Sequence, residues 1–454
     1  MVLDRHSFGF WSFLAKRAFK ATFKRMDGSS ASKAILDTLR EREVAIYVHV
    51  PFCKSLCLYC PYVRFPLGNR LDLLSKYVDA LVSEIRAYGK LLEGLDLKIV
   101  DVHAGGGTPS LLRGEHFEKI LDALAESFGA EPRIAIEANP EDLSDEARAF
   151  ELVDSGVAEV SLGVQSFDER ALKNLGRRHA VEDSLRALEN LREAGVERVN
   201  IDMMYMIPGR RPSEGQSLSE WERDLEIASE QDVDEITCYP TLVTEYCIGY
   251  KLVKEGKVVQ PSKRTFKQMV YLAEELLSSA GFEPVEIYGY SRKREWKYVT
   301  VNYEMEGPLL GFGCGAMGFT GGFEYQNTCS VPDYVQSVLE EKLPIAGARL
   351  VDLEERAIRY ATCSLFVCRR LDFAEFERKF GRKFEELVGR SGFGRALALL
   401  ELTGRIERRA DEIELTRKGL FTAHQVCWAF VLNVPCRICE EFLKTPWPNE
   451  VHIP

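Results

Sequence analysis

Between residue 41 and about residue 290 the chain repeats one theme, in which a short run rich in β-branched residues ends at a loop and a stretch with helical spacing follows. The runs are Val44–Val50, Leu97–His103, Arg133–Asn139, Glu159–Ser166, Arg198–Met206, Glu235–Val243 and Pro284–Tyr290, and Leu71–Leu91, Phe117–Phe128 and Val181–Ala194 are among the helical stretches between them. Strands that alternate with helices pair in parallel, because the crossover consumes the helix. Six or seven such units predict an α/β fold, a full or partial (β/α) barrel of six or more parallel strands. Its ligands are expected at the C-terminal ends of the strands.

A chain of 454 residues exceeds what one core usually supports, so further parts are expected. We divide it into an N-terminal extension (1–40), a barrel with late elements (41–345) and an α-rich C-terminal part (346–454). In the last, Glu354–Phe366, Asp372–Phe380 and Phe393–Leu402 read as helices. Gly404–Glu407 and Glu412–Leu415 read as a hairpin across Arg409–Asp411, which gives a winged-helix-like outline. In the extension, Trp11, Leu14, Ala15, Ala18, Phe19, Phe23 and Met26 share one helical face and Lys16, Arg17, Lys20 and Lys24 gather opposite. That pattern suits a helix packed on the barrel or one lying on an anionic membrane surface.

The net charge of -11 argues against a nucleic-acid partner, which calls for a basic footprint. No apolar run reaches the length of a membrane span, and the first residues lack a cleavable apolar leader, so a cytoplasmic location is expected, with peripheral membrane contact through the N-terminal helix. Twelve cysteines in so long a chain do not make a disulfide scaffold, and clustered cysteines in a reducing compartment point to metal or redox chemistry.

Three of them cluster. The first strand run leads into Tyr47-Val48-His49-Val50-Pro51-Phe52-Cys53-Lys54-Ser55-Leu56-Cys57-Leu58-Tyr59-Cys60, with the spacing C-x3-C-x2-C. A structural zinc site or an ordinary iron–sulfur cluster takes four protein ligands, so three close thiolates leave one metal position open for a small molecule. Further along stand Ala104-Gly105-Gly106-Gly107-Thr108-Pro109-Ser110, a glycine run whose backbone a ligand can approach, and Glu137 and Asp202, which end apolar runs. A carboxylate in such a place needs a partner, whether a ligand's hydroxyl or ammonium group or a structural salt bridge.

The triplet resembles the signature of radical S-adenosylmethionine (SAM) enzymes. With the glycine run, Ile136-Glu137-Ala138-Asn139-Pro140, Gly163-Val164-Gln165-Ser166-Phe167 and Ile201-Asp202-Met203-Met204, it resembles the oxygen-independent coproporphyrinogen III dehydrogenase family over roughly Ile46 to Phe319. The resemblance implies a 4Fe–4S cluster on Cys53, Cys57 and Cys60, whose electron cleaves SAM to methionine and a 5′-deoxyadenosyl radical. It implies one or two SAM molecules, contacted by Tyr59, Gly106, Gly107, Thr108, Glu137, Gln165, Arg177 and Asp202, with Tyr47 facing the substrate or a second SAM. A small-molecule substrate of the coproporphyrinogen type and an electron donor such as flavodoxin or ferredoxin follow from it.

Two departures keep other readings open. Tyr62 stands where decarboxylating members carry a further cysteine, and Val301-Asn302-Tyr303-Glu304-Met305-Glu306 lacks the heme-ligating histidine of the heme-chaperone branch. A C-methyltransferase that uses two SAM molecules on an aromatic or quinone acceptor is the alternative enzyme, and a heme chaperone the alternative carrier. The basic cluster Arg292, Lys293, Arg294 and Lys297, expected beside the active-site mouth, suits tetrapyrrole propionates. The run Leu310–Ala316 resembles the family's late glycine-rich loop, in which Cys314 reads as a small packing residue, and His424, Cys427, Cys436 and Cys439 have a spacing that suits a second metal.

Overall fold

The computed structural model describes residues 21–453 apart from 69, 132, 242, 244–246, 294–304 and 428–432, and only the backbone of 71, 212 and 433–436. Six parallel strands lie side by side in chain order: β1 (Glu43–Val50), β2 (Lys98–Gly106), β3 (Ile134–Ala138), β4 (Val157–Gln165), β5 (Arg198–Tyr205) and β6 (Glu235–Pro240). Helices Leu71–Leu91, Gly114–Phe128, Glu146–Asp154, Val181–Glu193 and Leu218–Glu230 make the crossovers. The six strands form a partial (β/α) barrel, as the strand–helix alternation predicts, followed by a helix-rich C-terminal region.

The seventh expected strand is different. Pro284–Tyr290 is broken into Glu283–Pro284 and Gly289–Ser291, a hairpin that runs antiparallel to β6. Val285 and Glu286 both donate their N–H groups to the Gly289 carbonyl, which closes a turn where the run was read as continuous. On the opposite side, Leu309–Phe312 adds in parallel to β1. Beyond it Met317–Phe319, Phe323–Asn327, Ile345–Leu350, Ala21–Lys24 and Glu450–Ile453 extend the same sheet antiparallel.

Residues 1–20 of the expected amphipathic helix lie outside the described residues, but its end is not helical. Ala21–Lys24 is a strand between Ile345–Leu350 and Glu450–Ile453. Buried and open positions alternate along it with period two, and Phe23 packs edge-on against Phe442 instead of facing a membrane. In the C-terminal region Leu353–Phe366, Phe373–Phe380 and Gly392–Leu402 are helices, and Ile406–Arg408 pairs with Glu412–Leu415 as the expected hairpin. Arg370–Asp372 adds a third strand to that hairpin. Among the described residues no helix is long and apolar enough to cross a membrane.

One buried carboxyl ties the first crossover helix to the loop beside β1. Glu84 accepts hydrogen bonds from Gly313 N (2.8 Å), Asn327 Nδ2 (2.9 Å) and Tyr334 Oη (2.6 Å). Tyr77, two turns earlier, donates to the His49 carbonyl and accepts from Cys314 N. Cys314 is itself buried, as its reading as a packing residue predicts. Because Glu84→Ala takes the acceptor from Gly313 N, Tyr334 Oη and one N–H of Asn327, whose Nδ2 also donates to the Gly313 carbonyl, we expect a loss of about 3–5 kcal/mol in denaturant unfolding. A loss below about 1 kcal/mol would show that water replaces the carboxyl.

Candidate active site

Opposite residues of a parallel pair point to the same face, so the register decides what shares the barrel interior. Tyr47 lies opposite His103, Glu137 opposite Ser161, Ser161 opposite Asn200, and Asp202 opposite Thr237. The alternate positions, among them Ile46, Val102, Ile136, Leu162, Ile201 and Ile236, are buried in the core that the helices share. A parallel sheet covered by helices is ordinarily apolar on both faces, so a polar inner face marks a site.

These inner groups satisfy one another. Thr237 Oγ1 donates to Asn200 Oδ1 (3.0 Å), and Asn200 Nδ2 donates to Ser161 Oγ (2.7 Å) and Asp202 Oδ1 (3.1 Å). Ser161 Oγ completes the set by donating to Asp202 Oδ2 (3.1 Å). Burial, reinforced by the charge of Glu137, pushes the Asp202 carboxyl up to about 7. Glu137 accepts from Gly106 N (3.2 Å) and lies 3.7 Å from His103 Nε2. His49 Nε2 contacts the Val63 carbonyl, which can only accept, so Nδ1 takes the hydrogen bond from the Tyr47 hydroxyl. Burial keeps that imidazole neutral and raises the Tyr47 phenol.

The glycine run serves these side chains. A Cβ on Gly105 would stand 2.6 Å from Glu137 Oε1, one on Gly106 (φ +105°) 2.4 Å from the His49 ring, and one on Gly107 2.6 Å from the Phe52 carbonyl. The room expected for a ligand therefore goes first to Glu137, His49 and the start of the thiol loop.

That loop is held at both ends and in the middle. Phe52–Cys53 pairs with Phe65–Pro66, Leu58 N donates to the Leu175 carbonyl, and Gly249 N donates to the Leu58 carbonyl. The Cys247 thiol donates to the Tyr59 carbonyl. Cys53, Cys57 and Cys60 are free thiols. Burial pushes Cys60 up to about 12 and raises Cys53 against the Thr108 hydroxyl.

Arg177 binds the loop to the barrel. It donates from NH1 to Cys57 Sγ (3.5 Å) and from NH2 to Asn139 Oδ1 (2.7 Å) and the Gly163 carbonyl (3.0 Å). Asn139 Nδ2 donates to Thr108 Oγ1, and Asn139 N donates to Ser110 Oγ. Ser110 in turn donates to Asp142, which pairs with Lys54. Gln165 closes β4 in the left-handed region (φ +70°), beside a break in its register with β5. Backbone strain of this kind gathers at functional sites.

The profile of the Radical SAM superfamily matches residues 47–221. The heme chaperone HemW of Synechocystis sp. is 30% identical over 319 residues, covering 68% of this chain and 75% of that protein. The chain belongs to the HemN/HemW-like family of radical SAM enzymes. Within this family, HemW of Bacillus subtilis is 27% identical over 85% of this chain and 98% of its own length, and the anaerobilin synthase of Escherichia coli O157:H7 is 25% identical over 73% and 72%. The structure of coproporphyrinogen III oxidase (HemN) from Escherichia coli shares the fold, with a TM-score of 0.76 and 22% identity over 90% of this chain and 94% of that one.

A 4Fe–4S cluster and SAM are the defining cofactors of the family's radical SAM domain, and the donor set fits them. Three free thiols share one stapled loop, a half-buried guanidinium faces Cys57, and its Nε–H, a buried atom without a partner, is available to an anion. The other residues expected at the site lie on the thiol loop, on the inner face or at its strand-end rim, and Arg177 reaches them from the segment after the helix Glu169–Leu175. The Tyr59 ring packs against Ala171, Leu175, Met204 and Ile207. Residues not singled out from the sequence are His49, His103, Asn139, Ser161, Asn200 and Thr237. His49, Asn139 and Asn200 stand two residues from Tyr47, Glu137 and Asp202, a period-two signal, whereas His103, Ser161 and Thr237 meet those residues only through strand register.

Two expectations are corrected. Lys293 pairs with Asp234, and Arg292 stacks over Phe282 and donates to the Ser229 carbonyl, all at the start of β6 and away from the strand ends. The antiparallel turn back along β6 carries them there; Arg294, Lys297 and 301–304 lie outside the described residues. His424 and Cys427 join the main core, whereas Cys439 lies in a separate cluster with Cys329, so these three do not converge on one metal. The side chain of Cys436 lies outside the description.

The Asp202 carboxyl titrates near 7 in the fold against an ordinary 3.8, so ionising it lowers stability, beginning as pH rises past about 4 and complete above about 7. Asp202→Asn is expected to be more stable than the wild type at pH 8 by about 1–2 kcal/mol, allowing for solvent at this half-buried position. At pH 4 that advantage should vanish. Equal advantages at the two pH values in denaturant titrations would contradict the burial argument.

Proposed function

We propose that this radical SAM enzyme acts on a tetrapyrrole, with Cys53, Cys57 and Cys60 holding the 4Fe–4S cluster and the polar inner face receiving SAM. The observation that carries the reading is the polar inner face from Tyr47 to Thr237 beside a three-thiol loop, with Arg177 bonded both to Cys57 of the loop and to Asn139 and the Gly163 carbonyl at the edge of that face. The cluster, when bound, supplies one-electron cleavage of the sulfonium and so a carbon radical for hydrogen abstraction.

The chain's own groups then have distinct tasks. Arg177 offers its unpartnered Nε–H to the SAM carboxylate, and Glu137 offers an anion to the amino group. Asp202, held by Ser161 and Asn200, accepts from ribose hydroxyls. Gly106, Gly107 and Thr108 border the Glu137 side, and Gln165 and Tyr59 the nucleoside side. Tyr47 and the exposed Tyr62 present aromatic surface to a planar substrate. The names of the relatives, heme chaperone and coproporphyrinogen III oxidase, support a tetrapyrrole. We further read residues 41–345 as the radical SAM unit, the C-terminal helices with their hairpin as a winged-helix-like cap, flavodoxin or ferredoxin as the donor, and the cytoplasm as the location.

Anaerobic reconstitution tests this. The wild type should bind one cluster and form 5′-deoxyadenosine, and alanine at Cys53, Cys57 or Cys60 should abolish both. Asp202→Ala and Gln165→Ala should keep the cluster and lose at least tenfold in product, about 1.4 kcal/mol or more in the barrier. With tetrapyrroles supplied, mass analysis should find loss of carboxyl groups or gain of a methyl group. Heme bound and returned unchanged, with no 5′-deoxyadenosine, would overturn the enzyme reading in favour of a carrier.

A further inference from the structure

Arg177 has one group of partners that fixes it and one contact that gives it leverage. Its NH2 is committed to Asn139 Oδ1 and the Gly163 carbonyl, and Asn139 is itself fixed through Thr108 and Ser110. The guanidinium therefore cannot leave Cys57 Sγ, 3.5 Å from NH1, without giving up two other hydrogen bonds. A half-buried charge in direct contact is only partly screened, and the potentials of iron–sulfur clusters are set by net charge and by hydrogen bonds to their sulfurs. A cation that donates to a ligating sulfur stabilises the reduced, more negative cluster.

We infer that Arg177 is a redox-tuning residue, whose contact with Cys57 Sγ raises the reduction potential of the cluster and brings it within reach of a low-potential one-electron donor. This rests on the proposed assignment of the cluster to the triplet and adds to it a positioning residue that acts through a ligand. Contact with the SAM carboxylate alone would leave the potential in the absence of SAM unaffected.

The test is an electron-paramagnetic-resonance redox titration of the full-length, reconstituted protein without SAM, with iron and sulfide counted in each sample. Arg177→Gln should shift the one-electron equilibrium about tenfold toward the oxidised state, about 59 mV more negative. Arg177→Lys keeps the charge but not the planar donor, and should shift it less in the same direction. A fully loaded Arg177→Gln protein with the wild-type midpoint overturns the inference and leaves the proposed function standing. If that variant does not hold the cluster, Arg177→Lys decides, a midpoint below wild type supporting the inference and an equal one overturning it. Loss of the cluster from both variants in folded protein overturns tuning in favour of an assembly role. An unchanged signal in the triple Cys53, Cys57 and Cys60 alanine variant overturns the cluster assignment itself, whatever the Arg177 variants do.

Discussion

Six strands in parallel register send every second side chain into the helix-covered core and the others into the barrel, and both the stability and the chemistry of this chain follow from that division. Polar groups inside a barrel cost free energy unless they are paired. Thr237, Asn200, Ser161 and Asp202 meet that cost for one another across three strands, which leaves Asp202 as the member whose charge burial still opposes. A site of this kind is assembled before a ligand arrives, because each group is held by its neighbour rather than by substrate.

The thiol loop is fixed to that interior by a chain of contacts. It runs from Lys54 through Asp142, Ser110 and Asn139 to Arg177 and returns to the loop at Cys57. The contacts join residues far apart in sequence, so the spacing within the triplet is local while its position over the barrel is tertiary. Glu84 and Tyr77 brace the other side, through the loop at Gly313 and Cys314 and the His49 carbonyl.

Much of this was legible in the sequence, and the rest for physical reasons was not. The β-branched runs located all six core strands, and the triplet, the glycine run, Glu137 and Asp202 stood out by residue type. The inner face escaped notice because runs such as Ile136-Glu137-Ala138 and Val199-Asn200-Ile201-Asp202 alternate as the strands of a solvent-facing sheet do. Only closure toward a barrel turns their polar face inward. Leu309–Phe312 is four residues long and glycine-bearing, so it read as a loop. Ala21–Lys24 and Glu450–Ile453 owe their strand state to each other, from opposite ends of the chain, where local periodicity carries no information. The basic residues at 292 and 293 were misplaced because sequence proximity to a late loop says nothing about which end of β6 a hairpin returns to.

The most direct measurement is an anaerobic crystal structure of the reconstituted protein with SAM. A 4Fe–4S cluster on Cys53, Cys57 and Cys60 is expected, with SAM polar atoms within hydrogen-bond distance of Arg177 and Asp202 and the Ser161–Asn200–Asp202 contacts intact. A cluster held by other cysteines, or SAM bound without touching the inner face, would contradict it.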